Sequence, residues 1–284
     1  MAYSSVFFTV AYPQALPYFK DVCQSALLQT RRDFDFIVVN DGCNTAVLIE
    51  HLADLNATIL DAAGTPAQNR QQGINYARKQ NYKYIFFCDV DDTFSANRHE
   101  RTLTEFKSSN ADIIVCNLNI VDDTLAPIIS SYFSKELPKN QWIDKNFIKD
   151  KNIFGMSNTA LRLDALHEEI NIPETPIVDW YLFTILINNK LKARYITDPM
   201  VNYRQHNTNM IGINQHDLNS FRKMANLKNL HYKLLVKSGY HQYKDLYNKS
   251  KLLQNLSDIE ITNIIKQQLA KHNQPLWWQV ISNQ

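Results

Sequence analysis

The densest group of residues able to do chemistry is Asp89-Val90-Asp91-Asp92, which follows directly on the apolar run YIFFC. Carboxylates two apart at a strand end, with a third beside them, form a hard-oxygen site suited to Mg²⁺ or Mn²⁺. A cation held there would neutralise a diphosphate leaving group, which is an electrostatic task in group transfer from a nucleotide. The same residues also read as an aspartate-rich turn closing a strand. Two other apolar runs end on polar residues: Tyr12 closes 6–12, and Asn40-Asp41-Gly42 closes 34–40.

Those runs belong to a repeating pattern. VFFTVAY (6–12), FDFIVVN (34–40), ATIL (57–60), YIFFCD (84–89) and DIIVCNL (112–118) are short and rich in β-branched and aromatic residues, as buried strands are. Between them lie segments with helical spacing, such as Phe19, Val22, Cys23, Ala26 and Leu27. Thr65-Pro66-Ala67-Gln68 reads as a helix start, with a threonine cap, a proline in the first turn and glutamine at the capping-box position. Strands alternating with helices imply an α/β fold with a mainly parallel, doubly wound sheet. In such sheets ligands bind beyond the carboxyl ends of the strands, where the polar residues above are delivered. Past residue 120 the pattern loosens, with helices expected near 142–150 and 178–190. From about 215 the chain is polar and helical, and Ser257-Asp258-Ile259-Glu260 opens another capped helix with Ile261, Ile264, Ile265 and Leu269 on one face. The expected division is a domain at 1–215, with halves 1–120 and 121–215, and a helical region at 216–284.

Composition narrows the class. A chain of 284 residues at 45% hydrophobic and 20% charged can bury a large core. A formal charge of +2 and a pI near 8.2 are too mild to argue for nucleic acid. The four cysteines (Cys23, Cys43, Cys88, Cys116) have no metal-ligand spacing, and a reducing, cytoplasmic setting is the expectation. The N-terminus lacks a basic region and a long apolar run, so it does not read as a signal peptide.

Four pieces, in order and spacing, resemble the family 2 glycosyltransferases of the GT-A fold. They are VCQSALLQT (22–30) with FDFIVVNDG (34–42), GTPAQNRQQGINYA (64–77) and YIFFCDVDDTF (84–94), and the likeness continues more weakly through Asp179 and YRQHNTNMIG (203–212). The resemblance implies a GT-A domain over 1–215 that moves a sugar from a UDP- or dTDP-linked donor to a glycan or lipid-linked acceptor, with Mn²⁺ or Mg²⁺ and with inversion. It further implies that Asp41 meets the nucleobase with Tyr12 packing nearby, and that Asn69 or Arg70 reaches the donor. Asp89 would meet the ribose or the metal, Asp91 the metal, and His206 the metal or the diphosphate. Asp179 stands where the family places its catalytic base. The chain departs from the family pattern in the order Asn69-Arg70, in Val178 where an acid precedes the base, and in Ala-Tyr-Pro after the first strand.

Two other readings use the same residues. YIFFCDVDDTF also resembles the first motif of haloacid-dehalogenase-type phosphatases, with Asp89 as nucleophile, Asp91 as acid/base and Thr93 on phosphate, and Asp122-Asp123 as the later acidic pair. The roughly 30 residues between the acidic groups are too few for that fold. A non-catalytic module that binds a nucleotide sugar is the other. At the far end, Trp277 and Trp278 suit peripheral contact with a membrane interface, or packing onto the catalytic domain or a second copy.

Overall fold

The structure is a computed structural model that describes residues 3–206, 217–271, 276, 277 and 279. It opens with β1 (Ser5–Ala11), α1 (Phe19–Leu27), β2 (Phe34–Asp41), α2 (Thr45–Leu52), β3 (Ala57–Ala62), α3 (Pro66–Lys79) and β4 (Tyr84–Phe87). β1 pairs in parallel with both β2 and β4, and β2 with β3. Every residue of β1 and all of β2 up to Asn40 are buried, as the unbroken apolar runs require of strands covered on both faces.

The start of α3 is set by its cap: Thr65 Oγ1 accepts from the Gln68 N–H and the Gln68 side chain accepts from the Thr65 N–H. The middle of that helix lies so close to the sheet that a Cβ on Gly73 would sit 2.2 Å from the Phe8 ring. Only a glycine allows this approach.

Beyond β4 come β5 (Thr93–Phe94), α4 (Arg98–Ser109), β6 (Ile113–Val121), β7 (Pro127–Ile129), β8 (Trp142–Ile143), α5 (Lys145–Ile148), β9 (Thr159–Arg162), α6 (Val178–Asn188) and β10 (Ala193–Arg204). The sheet runs β3-β2-β1-β4-β9-β6-β10-β5, with β7 on β6 and β8 on β10. The expected mainly parallel sheet is present, with β10 parallel to β6. Between its two parallel parts lies β9, antiparallel to both β4 and β6. That reversal brings the start of β9, and the loop ahead of it, to the carboxyl end of β4.

The helical region comprises α7 (Leu218–Lys237), α8 (Lys244–Gln254) and α9 (Asp258–Lys271). Asp217 caps α7 and Ser257 with Glu260 closes the capping box of α9. Tyr232, Leu235 and Tyr243 join the main core, whereas Phe221, Ala225 and Ile261 form a small cluster of their own. The soft boundary near 215 lies outside the described residues. Among those described, no helix is long and apolar enough to cross a membrane.

The Gly73 contact is testable. Forcing a methyl group into this packed layer costs about 1–3 kcal/mol. Gly73→Ala is therefore expected to melt several degrees below the wild type by circular dichroism, and an unchanged melting temperature would mean that α3 does not lie this close to β1.

Candidate active site

A cleft of about 420 Å³ opens at the carboxyl ends of the strands. Its lining carries Tyr12, Asp41, Asn69, Arg70, Asp89, Asp91, Asp179 and His206. The cleft therefore brings together all eight residues singled out from the sequence.

Tyr12 follows β1 directly, and Asp41 ends β2. The Tyr12 hydroxyl is held well above its usual range by burial first and then by the charges of Asp91 and Asp89. Asn40 folds the turn after β2 by accepting the Cys43 N–H at 2.8 Å, and Gly42 takes the positive φ of 85° that this turn needs.

Asn69 and Arg70 lie in the first two turns of α3. Asn69 is 1% exposed, and its Oδ1 has no hydrogen-bond partner among the described residues although the residue lines the cleft. Arg70 is not the surface arginine that its helical position would allow: Nη2 donates to Asp89 Oδ1 at 3.0 Å, and its side chain is 19% exposed.

Each aspartate after β4 meets a different partner. Asp89 faces Arg70. Asp91 Oδ2 lies 2.9 Å from His206 Nε2, whose ring stacks on Tyr18 with centroids 5.4 Å apart. Asp92, 2% exposed, accepts from the Ser157 hydroxyl and, at 2.8 Å, from the Arg204 N–H. Burial raises the carboxyls of Asp89 and Asp92, and the charge of Asp91 adds to both shifts, while Arg70 opposes the one on Asp89. Among the described residues no three His, Cys, Asp or Glu side chains are arranged to hold a metal ion. The donor chemistry fits a hard divalent cation nonetheless, since Asp89 and Asp91 supply oxygen, His206 supplies nitrogen, and the crowding of carboxylates favours added positive charge.

Asp179 lies in the first turn of α6. Burial raises its carboxyl to about 6, against opposing effects of the Trp180 N–H and Arg70. Its Oδ2 accepts from Asn152 Nδ2 at 3.2 Å. Asn152 is fully buried and is itself fixed by Phe154, through Nδ2 to the carbonyl at 2.6 Å and through Oδ1 from the N–H at 3.0 Å.

Several functional residues escaped the sequence reading. Ser157 reaches the site because β9 is antiparallel; besides meeting Asp92, its hydroxyl accepts the Asp89 N–H at 3.2 Å. Asn152, Gln14, Met156 and Tyr203 also converge here, from segments with no periodic signal, and they are joined by Trp277, which the sequence singles out. Trp277 lies against Phe133, Tyr203 and Gly155, so its indole packs onto the sheet domain, one of the placements expected for it. Trp278 lies outside the described residues.

The phosphatase reading fails on position. Thr93 is buried in β5, where Oγ1 accepts from Asn202 Nδ2 at 3.0 Å. Asp122 closes a tight turn through Thr124 and Ala126, away from the cleft lining.

A mainly parallel sheet with strand-end acids and a nucleotide-sized cleft defines a GT-A glycosyltransferase architecture. Solved structures share the fold. S. aureus TarS (residues 1–349, in complex with UDP-GlcNAc) is 15% identical with a TM-score of 0.59, covering 82% of this chain and 66% of that one. GalNAc-T7, solved with UDP, GalNAc and Mn²⁺, is 12% identical with a TM-score of 0.63, covering 97% and 55%. The mannosyltransferase PcManGT from Pyrobaculum calidifontis, with GDP-Man and Mn²⁺, is 11% identical with a TM-score of 0.59, covering 95% and 75%. This chain thus spans just under two thirds of the TarS fragment and just over half of GalNAc-T7. No curated protein matches it significantly. The model of "Glycosyl transferase family 2" matches residues 7–170, and the chain belongs to that family.

The raised carboxyl of Asp179 has a stability consequence. The native state holds this proton up to about pH 6, whereas an unfolded aspartate releases it near 3.9. The native state thus binds more protons between those values, and its stability falls as pH rises through the window. Asp179→Asn removes the charged form, so it is expected to melt above the wild type at pH 8, with the gain vanishing near pH 4. Scanning calorimetry at both pH values checks this; an equal difference at the two would remove burial as the cause.

Proposed function

We propose that this chain transfers a sugar, with inversion, from a UDP- or dTDP-linked donor to a hydroxyl of a glycan or lipid-linked acceptor in polysaccharide or surface glycan synthesis. The observation that carries this reading is the convergence of Asp89, Asp91 and Asp179 on one cleft that is also lined by Tyr12, Asp41, Asn69 and Arg70. Family membership and the nucleotide-sugar complexes of its structural neighbours support it. Residues 1–215 form the transferase domain in this reading, and 216–284 buttress it.

Asp41 and the orphan Oδ1 of Asn69 accept hydrogen bonds from the nucleoside, and Tyr12 packs beside it. Arg70, already in the cleft beside Asp89, pairs with diphosphate oxygen. Asp89, Asp91 and His206 would hold Mn²⁺ or Mg²⁺, which when bound supplies positive charge to the leaving diphosphate. Asp179 takes the proton from the acceptor hydroxyl as that oxygen attacks the anomeric carbon from the face opposite the leaving group. Asn152 fixes the orientation of that carboxylate by donating to Oδ2 and leaves Oδ1 for the acceptor. A carboxyl raised to about 6 is a stronger base than an ordinary aspartate and is still ionised at neutral pH.

A thermal-shift screen of UDP, dTDP, GDP, CDP and ADP with and without Mn²⁺ tests the donor side, because a ligand specific to the native state raises the melting temperature. One nucleotide is expected to act, more strongly with metal, and Asp91→Asn should lose the metal-dependent part. Turnover of the matching donor should rise with pH through about 6, and Asp179→Asn should lower it roughly 10²–10⁴-fold while sparing nucleotide binding. Binding without donor hydrolysis or transfer would make the chain a non-catalytic module instead.

A further inference from the structure

We propose that Trp277, delivered by the C-terminal segment, is the stacking platform for the acceptor sugar ring, and that the acceptor unit is therefore a pyranose. The proposal rests on the transferase reading and deepens its acceptor side.

The indole is held on several sides and open on another. Its ring meets the Phe133 ring edge-on, with centroids 5.5 Å apart and planes at 83°, and lies 5.4 Å from the Tyr203 ring. It covers Gly155 so closely that a Cβ there would sit 3.2 Å from Cζ3 and 3.3 Å from Cη2. The residue is half-buried and lines the cleft.

Its backbone is registered to the candidate base. The Asn152 N–H donates to the Trp277 carbonyl at 2.8 Å, while the Asn152 side chain donates to Asp179 at 3.2 Å. One buried asparagine thus sets the platform and the base relative to each other. An acceptor with its nucleophilic hydroxyl at Asp179 extends its ring along the wall formed by Met156, Ile177, Val178 and Trp277. This wall is apolar, in contrast to the nucleotide wall with its acceptors and its guanidinium. A pyranose presents a face of C–H groups, weakly positive, that suits the negative face of an indole. Hydroxyls around its edge remain free for Asp179.

The test uses the full chain saturated with whichever of the five nucleoside diphosphates stabilises it, with Mg²⁺, and methyl pyranosides of glucose, galactose, mannose and N-acetylglucosamine. Binding is read by saturation-transfer NMR. The wild type is expected to saturate ring protons of at least one pyranoside. Trp277→Ala should weaken that binding about tenfold and Trp277→Phe much less, as loss or retention of an aromatic face predicts. Nucleotide affinity should stay the same in all three proteins. Pyranoside binding unchanged in Trp277→Ala, or absent in the wild type, overturns the proposal. So does a matching loss of nucleotide-sugar over nucleotide affinity, which would place the donor sugar on the indole. If no nucleotide binds the wild type, the transferase reading itself falls, which is a distinguishable result.

Discussion

The site depends on keeping several carboxylates together at the end of one short strand. Asp89, Asp91 and Asp92 are too close in sequence to be separated, and partial burial removes the water that would screen them. The protein meets this by assigning each acid to a different element. Arg70 comes from α3, His206 follows β10, and Ser157 with the Arg204 N–H come from the loop before β9 and from β10. The like charges thereby recruit the pieces of the cleft, and the acid with the most complete set of partners, Asp92, is structural. Asp89 and Asp91 keep partners that a diphosphate or a cation could replace.

The antiparallel insertion of β9 is what brings two different sets of side chains to one end of the sheet. Parallel strands deliver β1, β2 and β4 with their carboxyl ends on the cleft, which suits the nucleotide side. An antiparallel β9 brings its amino end there, together with Asn152, Gly155 and Ser157. Asn152, which donates to Asp179, and Gly155, which lies against the indole, both come through this reversal.

Legibility in the sequence follows the same division. The strands that carry the nucleotide wall are continuous apolar runs, because both their faces are covered, and their terminal polar residues stand out against that background. The capping box of α3 is local chemistry and was readable to the residue. By contrast β9 is a four-residue strand, TALR, and β10 mixes buried and half-exposed positions, so neither shows a period. Ser157 and Asn152 act through partners 65 and 27 positions away respectively, and nothing in their own neighbourhood signals it.

The helical region acts on the site through α6. Directly after Asp179, Trp180 is locked by donating Nε1 to the Ile148 carbonyl at 2.8 Å and by stacking on His231 of α7, with centroids 3.9 Å apart. Tyr181 shares a hydrogen bond of 2.8 Å with Ser238 just past the end of α7. His231 is fully buried, and neither ring nitrogen has a hydrogen-bond partner among the described residues. Burial, reinforced by Lys228, lowers its pKa well below the usual value, so the ring that faces Trp180 is neutral. Leaving such a polar group unsatisfied costs on the order of 1–3 kcal/mol. A leucine there would avoid that cost but would give up the flat, close stack that fixes the indole. The arrangement favours position over stability at the residue next to the candidate base. It accounts for why a polar helical tail is bound to the same core as the strands that end on the cleft.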